Sequence, residues 1–191
     1  MLPLPLSMLL APELTELNRL PSHTTRIPFP SSELATAGAE SPFRLSLDGE
    51  WDFQLVEQPD AAPAGWVESG FTREGWRKIR VPGVWTRQDT GDYPHYTNWQ
   101  MLFDEQYPPN VPERNPTGLY RNNFAIPDDW RNRNTIIQIG GFESVVLVWC
   151  NGAFVGMGKD SRLPSEFDLS PYIQQGNNVL ALMVIRWSDA T

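Results

Sequence analysis

Two histidines, a single cysteine and a scatter of carboxylates set the chemistry open to this 191-residue chain. His23 and His95 have no partner at i+4, so neither starts a helical pair of metal ligands. His95, between Pro94 and Tyr96, reads as a packed loop residue rather than a general base. Cys150 stands alone, which excludes an internal disulfide and a cysteine-built zinc cage. Its place after Val145-Val146-Leu147-Val148-Trp149 predicts a buried, inert thiol. No serine lies in a G-x-S-x-G nucleophile elbow. The glycines Gly152, Gly156 and Gly158 fall across an expected hairpin, not a strand-to-helix turn, and do not form a phosphate cradle.

Paired carboxylates need closer weighing. Retaining glycosidases hold two of them about 5–5.5 Å apart, inverting ones hold them farther apart. The candidates are Asp89, Asp92, Asp104, Glu105, Asp160, Glu166 and Asp168. Asp160 and Asp168 flank Ser161-Arg162-Leu163-Pro164-Ser165. An arginine between two acids is expected to pin such a turn through forked hydrogen bonds, rather than leave a catalytic dyad. No catalytic residue and no metal ligand is assigned within the chain on these grounds.

The elements that would carry these residues are mostly strands. Leu45, Leu47, Trp51, Phe53 and Leu55 alternate, with a turn or bulge at Asp48-Gly49. Ile79 and Val81 make a short strand closed by Pro82-Gly83. Tyr120, Asn122, Phe124 and Ile126 alternate until Pro127. Segments 135–139 and 144–149 follow, and Asn151-Gly152 signals a tight hairpin before Phe154-Val155. The last strand, from Val179 to Trp187, is apolar on both faces until Arg186, as suits the middle of a sheet inside a sandwich. Short strands, frequent turns and almost no helix predict an all-β jelly-roll sandwich. Residues 1–40 read as an extended leader that either dangles or lies along another surface, and residues 41–191 as the sandwich domain. Within the leader, Glu13 to Leu20 could make two helical turns, and Ser31-Ser32-Glu33 could open a short one. Its order is expected to come mainly from contacts outside the domain. The stretch from Pro82 to Gly118 is too long and too aromatic for idle connection, and is expected to be an ordered excursion reaching another surface.

A net charge of −8 without a basic stripe argues against nucleic acid. No segment has the roughly 20 apolar residues of a membrane span. The start, MLPLPLSMLLAPEL, lacks a basic n-region and is broken by Pro3 and Pro5, so a cytoplasmic protein is expected.

Several blocks resemble the amino-terminal domain of the large bacterial glycoside hydrolase family 2 β-galactosidases. They are Leu47-Asp48-Gly49-Glu50-Trp51-Asp52-Phe53, Tyr96-Thr97-Asn98, Asn115-Pro116-Thr117-Gly118-x-Tyr120, and Trp149-Cys150-Asn151-Gly152. The run GKDSRLPSEFDLS from Gly158 to Ser170, Arg186-Trp187-Ser188-Asp189, and Leu17-Asn18-Arg19-Leu20 in the leader complete the set. The likeness runs from about residue 11 to the end, with its blocks in order.

The resemblance implies a galactose-binding-like jelly roll packed on further sandwiches and a (β/α)8 barrel. The complete enzyme would be a retaining, homo-oligomeric glycosidase acting on β-galactosides such as lactose and using magnesium and sodium. Its two catalytic glutamates would lie in the barrel beyond Thr191, so the chain alone is expected to be inactive. Asn98 matches the asparagine that reaches into the galactose site; its amide offers a donor and an acceptor to neighbouring hydroxyls. The alternative is an asparagine that caps its own turn. Trp99 replaces a small residue of the family, and either adds a stacking wall for the sugar or packs inside the loop. Lys159 replaces a glutamine that, with Asp189, borders a magnesium site in some members, and its charge argues against a metal here. An independent carbohydrate-binding module and a structural or assembly domain remain alternatives.

Overall fold

The computed structural model describes residues 11–24, 26–94, 110–130 and 132–191, together with Pro5 and Ser7. Among them the chain forms β1 (Glu16–Leu17), a short helix α1 (Ser32–Thr36), β2 (Gly49–Val56), β3 (Arg77–Val81), β4 (Thr117–Ile126), β5 (Ile136–Ile139), β6 (Val145–Cys150), β7 (Ala153–Gly158), β8 (Ser165–Asp168) and β9 (Gly176–Ile185). An antiparallel seven-stranded sheet runs β1-β7-β6-β9-β4-β2-β3, and β5 pairs with β8 as a second sheet. The all-β sandwich expected from strand periodicity is therefore present, with very unequal layers.

Alternation explains the burial. On β2, Trp51 and Phe53 face the core between the sheets, joined by Tyr120 and Phe124 of β4, Val146 and Val148 of β6, and Leu180 of β9. The small sheet closes that core with Ile137 and Phe167. Each fully buried large apolar side chain contributes about 1.5–3 kcal/mol. The intervening residues of the central strands are apolar too: Leu119, Val145, Leu147, Trp149, Ala181 and Met183 form a second cluster on the other face. Residues 57–76 cross that face and cover it with Trp66, Phe71 and Trp76. Trp66 meets Trp149 edge-on at 5.4 Å between ring centroids, and Phe71 meets Trp76 edge-on at 5.9 Å. Arg121, on the same face of β4, is fully buried. Its guanidinium donates to the carbonyl oxygens of Trp66 and Glu68 and so ties the crossing segment down.

The Asn151-Gly152 hairpin forms as expected, with φ of 52° and 83° at its two residues, the primed geometry such a turn needs. Asn151 also accepts from the Val179 N–H and donates to Tyr172 O and Asn178 Oδ1, locking the hairpin to β9. Cys150 is buried in the core, and burial pushes its thiol up to about 11.

The arm differs from expectation. Residues 13–20 form no helical turns; β1 pairs with β7, and an isolated bridge joins Arg19 to Phe167. Leu20 N–H donates to Glu166 O at 2.8 Å, and Asn18 Nδ2 to Val155 O at 2.9 Å. The pairing requires Gly156, where a Cβ would lie 2.5 Å from the Leu17 carbonyl oxygen. Residues 11–20 are thus ordered by this domain itself, against the expectation of outside contacts. The Ser31 turn does form, as α1, with the Ser31 hydroxyl accepting from Leu34 N–H.

Asp52 of β2 stands opposite Lys78 of β3 and forms ion pairs with Lys78 and Arg73. Burial by itself would raise the Asp52 carboxyl, but the Lys78 hydrogen bond and the Arg73 charge outweigh it and hold it below the usual value near 3.8. A carboxyl depressed on folding stabilises the fold above its unfolded pKa, and that contribution fades as pH falls through the folded value. Asp52→Asn is therefore expected to flatten the loss of stability below about pH 4. Parallel acid limbs for mutant and parent in urea titrations would show that Asp52 carries none of it.

Candidate functional site: the stems of the long loop

Asn98, Trp99, His95, Asp104 and Glu105 lie outside the described residues. What the structure defines is how both ends of the excursion between β3 and β4 are held.

The outgoing stem begins at Val81-Pro82 and turns through Trp85–Arg87. Trp85 inserts into the core beside Phe53, its ring also meeting the space left by Gly118, where a Cβ would lie 3.1 Å from Trp85 Cε3. Gln88 continues the edge of β3 with its amide: it accepts from Arg80 N–H at 2.8 Å and donates to Arg80 O at 3.1 Å. Thr90 Oγ1 donates to Trp85 O at 2.9 Å, and Arg77 donates to Asp89 O. The stem then buries Asp92. Its Oδ2 accepts from Trp85 Nε1–H at 2.7 Å and from the Arg186 guanidinium. Arg186 also donates to Tyr93 O at 3.1 Å and lies over the Trp187 ring, 4.5 Å from its centroid. The side chains of Arg186 and Asp92 are only 11% and 7% exposed, so this pair is desolvated. Removing one partner of such a pair costs about 3–5 kcal/mol.

The returning stem is gripped next door. Buried Asn115 donates from Nδ2 to Trp187 O at 2.9 Å and accepts from Trp187 N–H at 2.9 Å. Its own N–H donates to Glu57 O, and Arg186 N–H donates to Pro116 O. Arg186 and Trp187, directly after β9, thus hold both ends of the excursion. A rigid scaffold carrying a loop is the arrangement by which binding side chains are commonly presented.

Four of the carboxylate candidates among the described residues are engaged, whereas Asp89 offers only its main-chain oxygen, to Arg77. Asp92 belongs to the clamp. Asp160 pairs with Arg19 at 2.9 Å, and Asp168 Oδ1 accepts from Ser170 N–H at 2.8 Å. Glu166 faces His23 Nε2 at 3.0 Å and accepts from Gln138 at 3.0 Å. The expected fork from Arg162 to Asp160 and Asp168 does not form. Arg162 reaches Glu143 instead, through Nε and Nη2, and β8 carries Asp168 away to pair with β5. With its side chain 74% exposed, Arg162 sits in a solvent-screened pair of little consequence. Arg162→Ala is accordingly expected to leave the urea midpoint unchanged, and a clear shift would restore the pinning role.

The magnesium implied by the resemblance is tested by the donor set at Lys159 and Asp189. Lys159 Nζ lies 2.6 Å from Asp189 Oδ1 and donates to Ala11 O at 2.8 Å, so an ammonium already holds those oxygens. The residues present do not fit a divalent ion there. Among the described residues no group of three or more His, Cys, Asp or Glu could hold a metal, and no helix is long and apolar enough to cross a membrane.

An antiparallel sandwich with a long loop gripped at both stems defines a loop-bearing β-sandwich domain. Residues 44–191 match the model of the glycosyl hydrolases family 2 sugar binding domain, and the chain belongs to that family. A β-galactosidase of Psychromonas ingrahamii is 41% identical over 179 residues, covering 94% of this chain and 17% of the relative. One from Erwinia tasmaniensis is 41% identical over 197 residues, covering 99% and 19%. The chain spans less than a fifth of the length of these curated relatives. Among solved structures, a Bifidobacterium dentium β-glucuronidase complexed with coumarin-3-O-glucuronide aligns with a TM-score of 0.55 and 24% identity, covering 73% of this chain and 19% of that one. That likeness bears on the fold.

In the sequence, Asp92 stands only as one carboxylate among several, and Arg186 carries no signal of a role. Ninety-three positions lie between them, and no local pattern announces such a pair.

Proposed function

We propose that this chain is the non-catalytic amino-terminal domain of a retaining β-galactosidase that hydrolyses terminal β-D-galactosides such as lactose. The supporting observation is 41% identity to β-galactosidases over almost the whole chain. In this reading the domain supplies scaffold and a loop to the galactose site. Asn98 offers its amide to two sugar hydroxyls, and Trp99 stands beside it as a second contact. The Arg186–Asp92 clamp and the Asn115–Trp187 pair act as positioning contacts, since a small misplacement of a binding group is costly in rate. The exposed Val84 and Tyr93 beside the stem offer apolar surface to a neighbouring domain such as the (β/α)8 barrel. The enzyme would work in the cytoplasm as a homo-oligomer, with magnesium and sodium bound by its other parts.

The test is hydrolysis of paired chromogenic substrates. The complete gene product should cleave the β-galactoside far faster than the β-glucuronide, and the 191-residue chain should cleave neither above buffer. Preference for the glucuronide, or hydrolysis by the 191-residue chain, would overturn the reading.

A further inference from the structure

Lys159 follows directly on β7, and its side chain is 1% exposed. Stripping an ammonium of water is costly unless oxygens replace the hydration shell. Here the replacements come from two distant segments: the Ala11 carbonyl of the arm, and the Asp189 carboxylate beyond β9, itself 14% exposed. The Lys159 main-chain N–H adds a third point, donating to Thr15 O at 2.9 Å. Asp189 is presented by a turn that Ser188 and Thr191 close: Ser188 N–H donates to Thr191 Oγ1 and Ala190 N–H to Ser188 Oγ. Ser161 Oγ fastens the same turn by donating to Ala190 O at 2.8 Å.

A carboxylate and a backbone carbonyl converging on one point are oxygens that a hard divalent cation would take. A dication placed among them would lie against the ammonium, and like charges at such separations repel strongly away from bulk water. We infer that the Lys159 ammonium takes the place of a metal ion at this junction, so that docking of residues 11–20 on the sandwich is independent of divalent cations. One covalently attached cation joins the arm, the end of β7 and the turn after β9. The inference rests on these contacts and stands apart from the proposed β-galactosidase activity.

Hydrogen exchange of the amides of residues 14–20 in the protein reads the junction directly. Exchange in excess magnesium and in EDTA should agree within about twofold, whereas Lys159→Met should accelerate it by about tenfold or more through local opening of the arm. Asp189→Asn leaves the buried lysine in place and should act in the same direction, so the test survives a poorly folding Lys159→Met. Slower exchange of residues 14–20 with magnesium, reversed by EDTA, would show a bound metal and overturn the inference. Unchanged protection in Asp189→Asn and in any folded Lys159→Met would overturn it equally.

Discussion

Asn98→Ala in the complete enzyme is expected to lower kcat/KM on a β-galactoside by about tenfold or more, because each 1.4 kcal/mol is a factor of ten. An ordinary hydrogen bond contributes about 0.5–1.5 kcal/mol, and one strengthened in the transition state contributes more. The thermal midpoint should hardly move, since the stems on either side are anchored by Trp85, Asp92 and Asn115. A substrate with the facing hydroxyl replaced by hydrogen has already lost the contact, so parent and mutant should differ much less on it. Equal losses on both substrates would make Asn98 a loop-shaping residue and remove it from the sugar site.

Arg121→Met is expected to destabilise the fold by about 3 kcal/mol. The substitution keeps most of the side-chain volume but leaves the buried Trp66 carbonyl and the part-buried Glu68 carbonyl without their donor, at about 1–3 kcal/mol for the buried acceptor and less for the other. Part of that loss is offset because a guanidinium no longer has to be desolvated; burial and the nearby Arg73 already press the Arg121 charge below its ordinary arginine range. In a domain of this size Tm should fall by roughly 6–12 °C. The loss should be accompanied by changed tryptophan emission, because Trp66 and Trp76 lie in the segment that Arg121 ties down. A Tm within a degree or so of the parent would mean that aromatic packing alone holds residues 57–76 in place.

Much of the sheet was readable from side-chain alternation. Trp51 and Phe53, or Tyr120 and Phe124, face the core because period two leaves them no other face. The solid apolar run of β6 also reads correctly, since Trp66 and its neighbours bury the face that would otherwise be wet. The failures share a cause, which is dependence on distant partners. Glu16-Leu17 becomes a strand only because Gly156 leaves room for the Leu17 carbonyl. Ser165 and Phe167 alternate inward on β8, but a strand of four residues directly after Pro164 carries too short a pattern to read until β5 supplies a ladder. Arg162 reads as a partner of the nearest acids in sequence, whereas Glu143, 19 positions earlier, is its partner. For the site, residue pattern showed where the long loop lies. The role proposed for it rests on motif likeness, and its anchoring depends on contacts between residues far apart in the chain.

The double grip at Arg186 and Trp187 separates foundation from cargo. Because both feet of the excursion are bolted to the same two residues, the contacts that anchor it are made by the feet themselves. On the proposed reading, in which the span supplies sugar contacts, substrate preference could drift by replacement of the span alone. If that reading holds, grafting a foreign segment between Tyr93 and Asn115 should change sugar selectivity, whereas altering the bolts themselves should not.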